Sequence, residues 1–156
     1  MSGMMLGNRD REHRRMMEIL LVEDDPASAT VTVRALQDAE VPHRLTWLTD
    51  GDDAASFLFW QGLFVYAPRP DLVLLDLHLP GTDGREILRL VRCDDDLHSI
   101  PIVVLTGADD AETAELCQQH DVERFMTKPV DLPKFKTLVT NLQDRWSQDI
   151  IVPQLT

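Results

Sequence analysis

The apolar positions of this chain gather into short runs separated by segments with a helical period. Ile19-Leu20-Leu21-Val22, Leu72-Val73-Leu74-Leu75 and Ile102-Val103-Val104-Leu105 are continuous, as expected of strands buried on both faces of a sheet. His43–Leu48 alternates and Arg124-Phe125-Met126 is brief, and these read as the second and fifth strands. After Pro26, the residues Ala29, Val33 and Leu36 make one apolar stripe; Ala54, Phe57 and Leu58 make another within Asp52–Trp60, and Ile87, Leu88 and Val91 a third within Asp83–Cys93. Asp109–His120 carries a fourth, and a last helix carries Leu132, Phe135, Val139, Leu142 and Trp146 at near-heptad spacing. Strand and helix thus alternate five times, which predicts an α/β fold: a doubly wound five-stranded parallel sheet, (βα)5, with helices on both faces and right-handed crossovers. Residues 17–146 would form that domain, 1–16 a disordered leader and 147–156 a C-terminal tail. The connection Gln61–Arg69 is unusual because Leu63, Phe64, Val65 and Tyr66 are apolar; packing over the preceding helix is favoured over a partner surface.

Composition narrows the picture. A chain of 156 residues suits one domain able to bury roughly two-thirds of its unfolded surface. Cys93 and Cys117 lack metal-ligand spacing and read as ordinary thiols of a reducing cytoplasm. No stretch resembles a signal peptide or approaches the ~20 apolar residues of a membrane span, which predicts a soluble, cytoplasmic protein without a membrane partner. The net charge of -12 argues against nucleic acid, whose affinity for proteins comes largely from Lys and Arg, and is compatible with cation binding at an acidic site.

The chemistry lies where the strands end. In a parallel α/β sheet the carboxyl ends of the strands open onto the ligand crevice. Asp76 ends the third strand, Glu23-Asp24-Asp25-Pro26 the first, Thr106-Gly107 the fourth and Thr127-Lys128-Pro129 the fifth. Each has a plain alternative: Asp76 an acidic turn before Pro80-Gly81, the three acids a helix N-cap, Thr106-Gly107 a turn, Lys128 a surface lysine. Both readings can hold at the first strand, with Asp25 capping while Glu23 and Asp24 face the crevice. Asp94-Asp95-Asp96 reads as a solvated helix end. The joint placement of Glu23, Asp24, Asp76, Thr106 and Lys128 on one edge is far more specific than any member.

Val22-Glu23-Asp24-Asp25-Pro26, Leu74-Leu75-Asp76-Leu77-His78-Leu79-Pro80-Gly81-Thr82-Asp83-Gly84, Val104-Leu105-Thr106-Gly107 and Phe125-Met126-Thr127-Lys128-Pro129-Val130 together resemble the receiver domain of two-component response regulators, with its flavodoxin-like fold. The resemblance runs from about Met17 to Arg145. It implies that Asp76 is the phosphoacceptor for a sensor histidine kinase. It implies Mg²⁺ held by Asp24, Asp76 and the backbone carbonyl of His78, with Glu23 acting through water. Lys128 would pair with Asp76 and then with a phosphoryl oxygen, Thr106 would donate a hydroxyl to the new group, and Lys128-Pro129 would be cis. Thr106 and Phe125 would form the switch, read out on the face made by the fourth helix, fifth strand and fifth helix. Phe125 has no hydroxyl, so packing alone would carry the aromatic part.

The apolar 61–69 loop, the Lys128-Pro129-Val130-Asp131-Leu132 stretch and the Trp146-containing tail are also similar to stand-alone regulators paired with bacterial and cyanobacterial phytochrome kinases. The absence of a second motif after the domain fits a stand-alone receiver. The apolar residues of the last helix and tail, Leu132, Phe135, Val139, Leu142, Trp146, Ile150 and Ile151, exceed what one helix on a sheet needs and predict a homodimer. Two other classes are a dimeric docking module that ignores phosphorylation and a Mg²⁺-dependent phosphohydrolase. Against the hydrolase, related enzymes carry a second aspartate two residues after the nucleophile, where this chain has His78.

Overall fold

The computed structural model describes residues 16–107, 111–128 and 130–149. Their order is β1 (Met17–Val22), α1 (Pro26–Asp38), β2 (His43–Leu48), α2 (Gly51–Leu58), a 3-10 turn (Gly62–Phe64), β3 (Leu72–Asp76), α3 (Gly84–Cys93), β4 (Ile102–Thr106), α4 (Ala111–Gln119), β5 (Arg124–Thr127) and α5 (Leu132–Asp149). All strand pairs are parallel and the sheet runs β2-β1-β3-β4-β5, so the order reverses at β1 and β3, beside which the acidic residues lie.

Alternation along the strands builds two cores. Ile19, Leu21, Leu72, Leu74, Val103 and Leu105 face α1 and α5, while Leu20, Val22, Val73, Leu75, Ile102 and Val104 face α2, α3 and α4. That two-sided burial explains the unbroken apolar runs of β1, β3 and β4. The edge strands β2 and β5 are less buried and correspondingly mixed in sequence. Helix starts follow the acids: Asp25 caps α1 ahead of Pro26, Asp50 accepts the Asp53 N–H at the start of α2, and Asp83 accepts the Arg85 N–H at the start of α3. Asp94 accepts the N–H groups of Asp96 and Leu97 in the turn after α3, as its place at a helix end suggests. Cys93 is exposed and Cys117 buried, both free.

Two expectations change. The spacing places Phe135, Val139 and Leu142 at a dimer contact, but they are at most 3% exposed and fill the core between α5, α1 and the sheet. The near-heptad stripe is therefore the ordinary inward face of a helix lying on a sheet. Trp146 packs against that core, and Leu132 stays 45% exposed. The 61–69 loop divides between both readings: Phe64 stacks edge-on against Phe57, while Leu63 and Tyr66 are 97% and 96% exposed. The expected leader up to residue 15, Asp109 and Asp110 at the start of the fourth helical pattern, Pro129 with its expected cis bond, and Ile150 and Ile151 lie outside the described residues.

Candidate functional site

Asp76 closes β3 with only 4% of its surface exposed, a burial that a lone carboxylate would not tolerate. Its compensation comes from two directions. One carboxylate oxygen, Oδ1, accepts the His78 N–H at 3.0 Å, a bond made by the loop that leaves the strand. The other, Oδ2, lies 2.9 Å from the Lys128 ammonium, delivered by the turn after β5. The same ammonium lies 2.6 Å from Oε2 of Glu23, which is fully buried after β1. Lys128 is thus brought from 52 residues away to bridge two buried acids.

Burial pushes the Glu23 carboxyl above the ordinary carboxylate range, against the pull of Lys128. Burial alone would lower the Lys128 ammonium, but its bonds to Glu23 and Asp76 outweigh that and hold it above its ordinary value. Thr106 is fully buried at the end of β4, and its carbonyl accepts the Lys128 N–H at 2.7 Å, which ties the fourth and fifth strand ends together. No described atom lies within 4 Å of where a Cβ on Gly107 would stand. Phe125 is partly buried against the core shared with α2, α3 and α4.

Carboxylate oxygens of Glu23, Asp24 and Asp76 lie within 4.8 Å of one another, with Asp24 exposed at the mouth. Counted at full ionisation, three carboxylates against one ammonium leave two negative charges, which one divalent cation would neutralise. The donors are hard oxygens, which suits Mg²⁺ or Mn²⁺ and not a thiol-seeking metal. Asp25 stands apart in role: it accepts from the Ala27 and Ser28 N–H groups and the Ser28 hydroxyl as the cap of α1. Beside Lys128 a mostly apolar cleft of about 340 Å³ opens along α1, lined by Ala27, Ser28, Val31, Thr32 and Val130.

The structure therefore gathers Glu23, Asp24, Asp76, Thr106 and Lys128 at one sheet edge. It also shows two participants that sequence reasoning passed over. Trp47 donates its indole N–H to the Glu23 carbonyl at 2.8 Å, and Asp52 accepts from both the N–H and the hydroxyl of Thr82. An alternating strand and an Asp50-Gly51-Asp52 turn carried no sign of these partners, which lie 24 and 30 residues away in the chain.

A family model for the response regulator receiver domain matches residues 19–140. Response regulator Rcp1 of Synechocystis sp. is 36% identical over 135 residues, spanning 86% of this chain and 92% of that protein. Among solved structures, the Mn²⁺-bound form of Rcp1 has a TM-score of 0.72 at 35% identity, covering 88% of this chain and 99% of that one. The phosphorylated cyanobacterial phytochrome response regulator RcpA has 0.73 at 33%, covering 89% and 99%. The bacteriophytochrome response regulator RtBRR has 0.74 at 30%, covering 90% and 82%.

Proposed function

The chain belongs to the response regulator receiver-domain family, the signalling proteins of two-component phosphorelays, and from that premise we propose that Asp76 is its phosphoacceptor. The observation that carries the reading is a nearly buried carboxylate, held between the His78 N–H and the Lys128 ammonium beside two further acids. An Asp76 oxygen bonds to the phosphorus of a phosphohistidine, the P–N bond breaks, and its electron pair returns to the imidazole nitrogen, which takes a proton from solvent. Asp24 and Asp76, with the His78 carbonyl and with Glu23 through water, are the groups that would hold Mg²⁺. Bound there, the ion supplies charge neutralisation for the transferring oxygens. Lys128 passes from pairing with Asp76 to pairing with a phosphoryl oxygen, and Thr106 donates its hydroxyl to the same group. The phosphoryl adds about two negative charges at the strand ends, and Phe125 repacks as Thr106 moves. The readout face is α4, β5 and α5.

The partner on the input side is a sensor histidine kinase, and the phytochrome regulators among the relatives support a bacteriophytochrome-type kinase. Among the described residues no helix is long and apolar enough to cross a membrane, and a cytoplasmic site of action is proposed from the family's role as receivers of phosphoryl groups from histidine kinases. A homodimer is also proposed, now resting on the exposed Leu132. The test of the main reading is incubation with Mg²⁺ and a small acyl phosphate, followed by intact-mass measurement. One labile phosphoryl adduct is expected, and Asp76→Asn should abolish it. No adduct on the wild type would favour a docking module, and repeated turnover of phosphomonoesters would favour a hydrolase.

A further inference from the structure

The stretch from Trp47 to Asp52 contributes no side chain to the acidic cluster, yet it touches both loops that form it. On one side the Glu23 N–H donates to the Leu48 carbonyl at 3.0 Å, and the Trp47 indole donates to the Glu23 carbonyl at 2.8 Å. Both backbone groups of Glu23 are thereby held from β2. On the other side the Gly51 N–H donates to the Pro80 carbonyl at 2.9 Å, and Asp52 Oδ1 accepts from the Thr82 N–H at 2.9 Å and the Thr82 hydroxyl at 2.6 Å.

These contacts need two glycines. A Cβ on Gly51 would stand 1.6 Å from the Thr82 carbonyl oxygen, so only glycine admits the approach. Gly81 has φ +74 and faces the Asp52 carboxylate, 2.8 Å from where its Cβ would stand. The loop so held begins at Asp76 and contains His78, whose N–H sets Asp76 Oδ1. Asp52 thus reaches the phosphoacceptor through the 77–83 loop, as Trp47 reaches Glu23 through its backbone.

We propose that Asp52 and Trp47 are positioning residues for the metal and phosphoacceptor groups, one for each flanking loop. The inference rests on the metal-assisted phosphoacceptor reading and extends it to residues outside the cluster. Asp52 and its bonds to Thr82 are solvent-exposed, so their loss shows in loop placement more than in unfolding. Outer partners that orient metal ligands commonly govern affinity, and Asp52→Ala is expected to weaken Mg²⁺ binding about tenfold by calorimetry with the thermal midpoint little changed. Asp52→Asn removes the same charge but keeps an oxygen acceptor, and is expected to retain near wild-type affinity. Thr82→Val and Trp47→Phe, each removing one donor, should weaken binding as well. Equal affinities for the alanine and asparagine variants of Asp52 would overturn the positioning role while leaving the site reading intact. A wild-type protein that binds no Mg²⁺ would overturn both.

Discussion

Asp71 sits just before β3, at the opposite end of that strand from Asp76, and its environment is the reverse. Its carboxylate is half-buried, accepting the Glu18 N–H at 2.8 Å and a hydrogen bond from the Trp146 side chain, with no cation paired to it among the described contacts. Burial pushes its pKa above the ordinary value, and the two hydrogen bonds only partly oppose this. An acid whose folded-state pKa is raised adds stability in its protonated form, fully below the unfolded value and lost as pH rises through the folded one. The charged form is therefore the less favourable guest at neutral pH. Asp71→Asn keeps an acceptor and cannot ionise, so its urea midpoint relative to wild type should improve between about pH 4 and about pH 7. A difference that stays flat with pH would show that the carboxylate is not desolvated. Asp76, at the other end of the strand, is more deeply buried, and there Lys128 supplies the cation that Asp71 lacks.

At the scale of elements, Arg92 shows how the far end of the sheet is held while the site end responds. From the last turn of α3 its guanidinium donates to the carbonyls of His120, His98, Ile100 and Asp121, at 2.6 to 3.1 Å. One side chain thus joins α3, the approach to β4 and the turn between α4 and β5, where Asp121 takes φ +52. Burial lowers the Arg92 pKa without threatening its charge. Because hydrogen bonds to a charged group are each worth more than neutral ones, Arg92→Ala is expected to cost about 3 kcal/mol in chemical denaturation. Arg92→Lys, which cannot fork, should recover only a minor part of it. These joins were not legible beforehand: Arg92 reads as an ordinary cation in the last turn of a helix. The helices and strands themselves were legible, because β1, β3 and β4 are buried on both faces and so carry unbroken apolar runs, while Asp25, Asp50 and Asp83 sit where helix starts need acceptors.

For the whole molecule, the prediction concerns association. With Phe135, Val139 and Leu142 inside the core, Leu132 is the exposed large apolar side chain of α5 among those described. If the protein dimerises through α5, sedimentation should give twice the monomer mass, and Leu132→Glu should return it to the monomer without lowering the thermal midpoint. A monomeric wild type, with and without a phosphoryl mimic, would remove the dimer. The expectation of surplus apolar surface arose because periodicity tells that a helix has an inward face, but not how much sheet awaits it. That depends on α1 and α5 sharing one side. By itself the sequence determined the order of strands and helices and the set Glu23, Asp24, Asp76, Thr106 and Lys128, since side-chain period and strand-end position are local properties. Only the tertiary structure decided that one ammonium bridges Glu23 and Asp76, and that Trp47 and Asp52 hold the loops around them. Those contacts join residues distant along the chain, and only the packing of parallel strands brings them within hydrogen-bond reach.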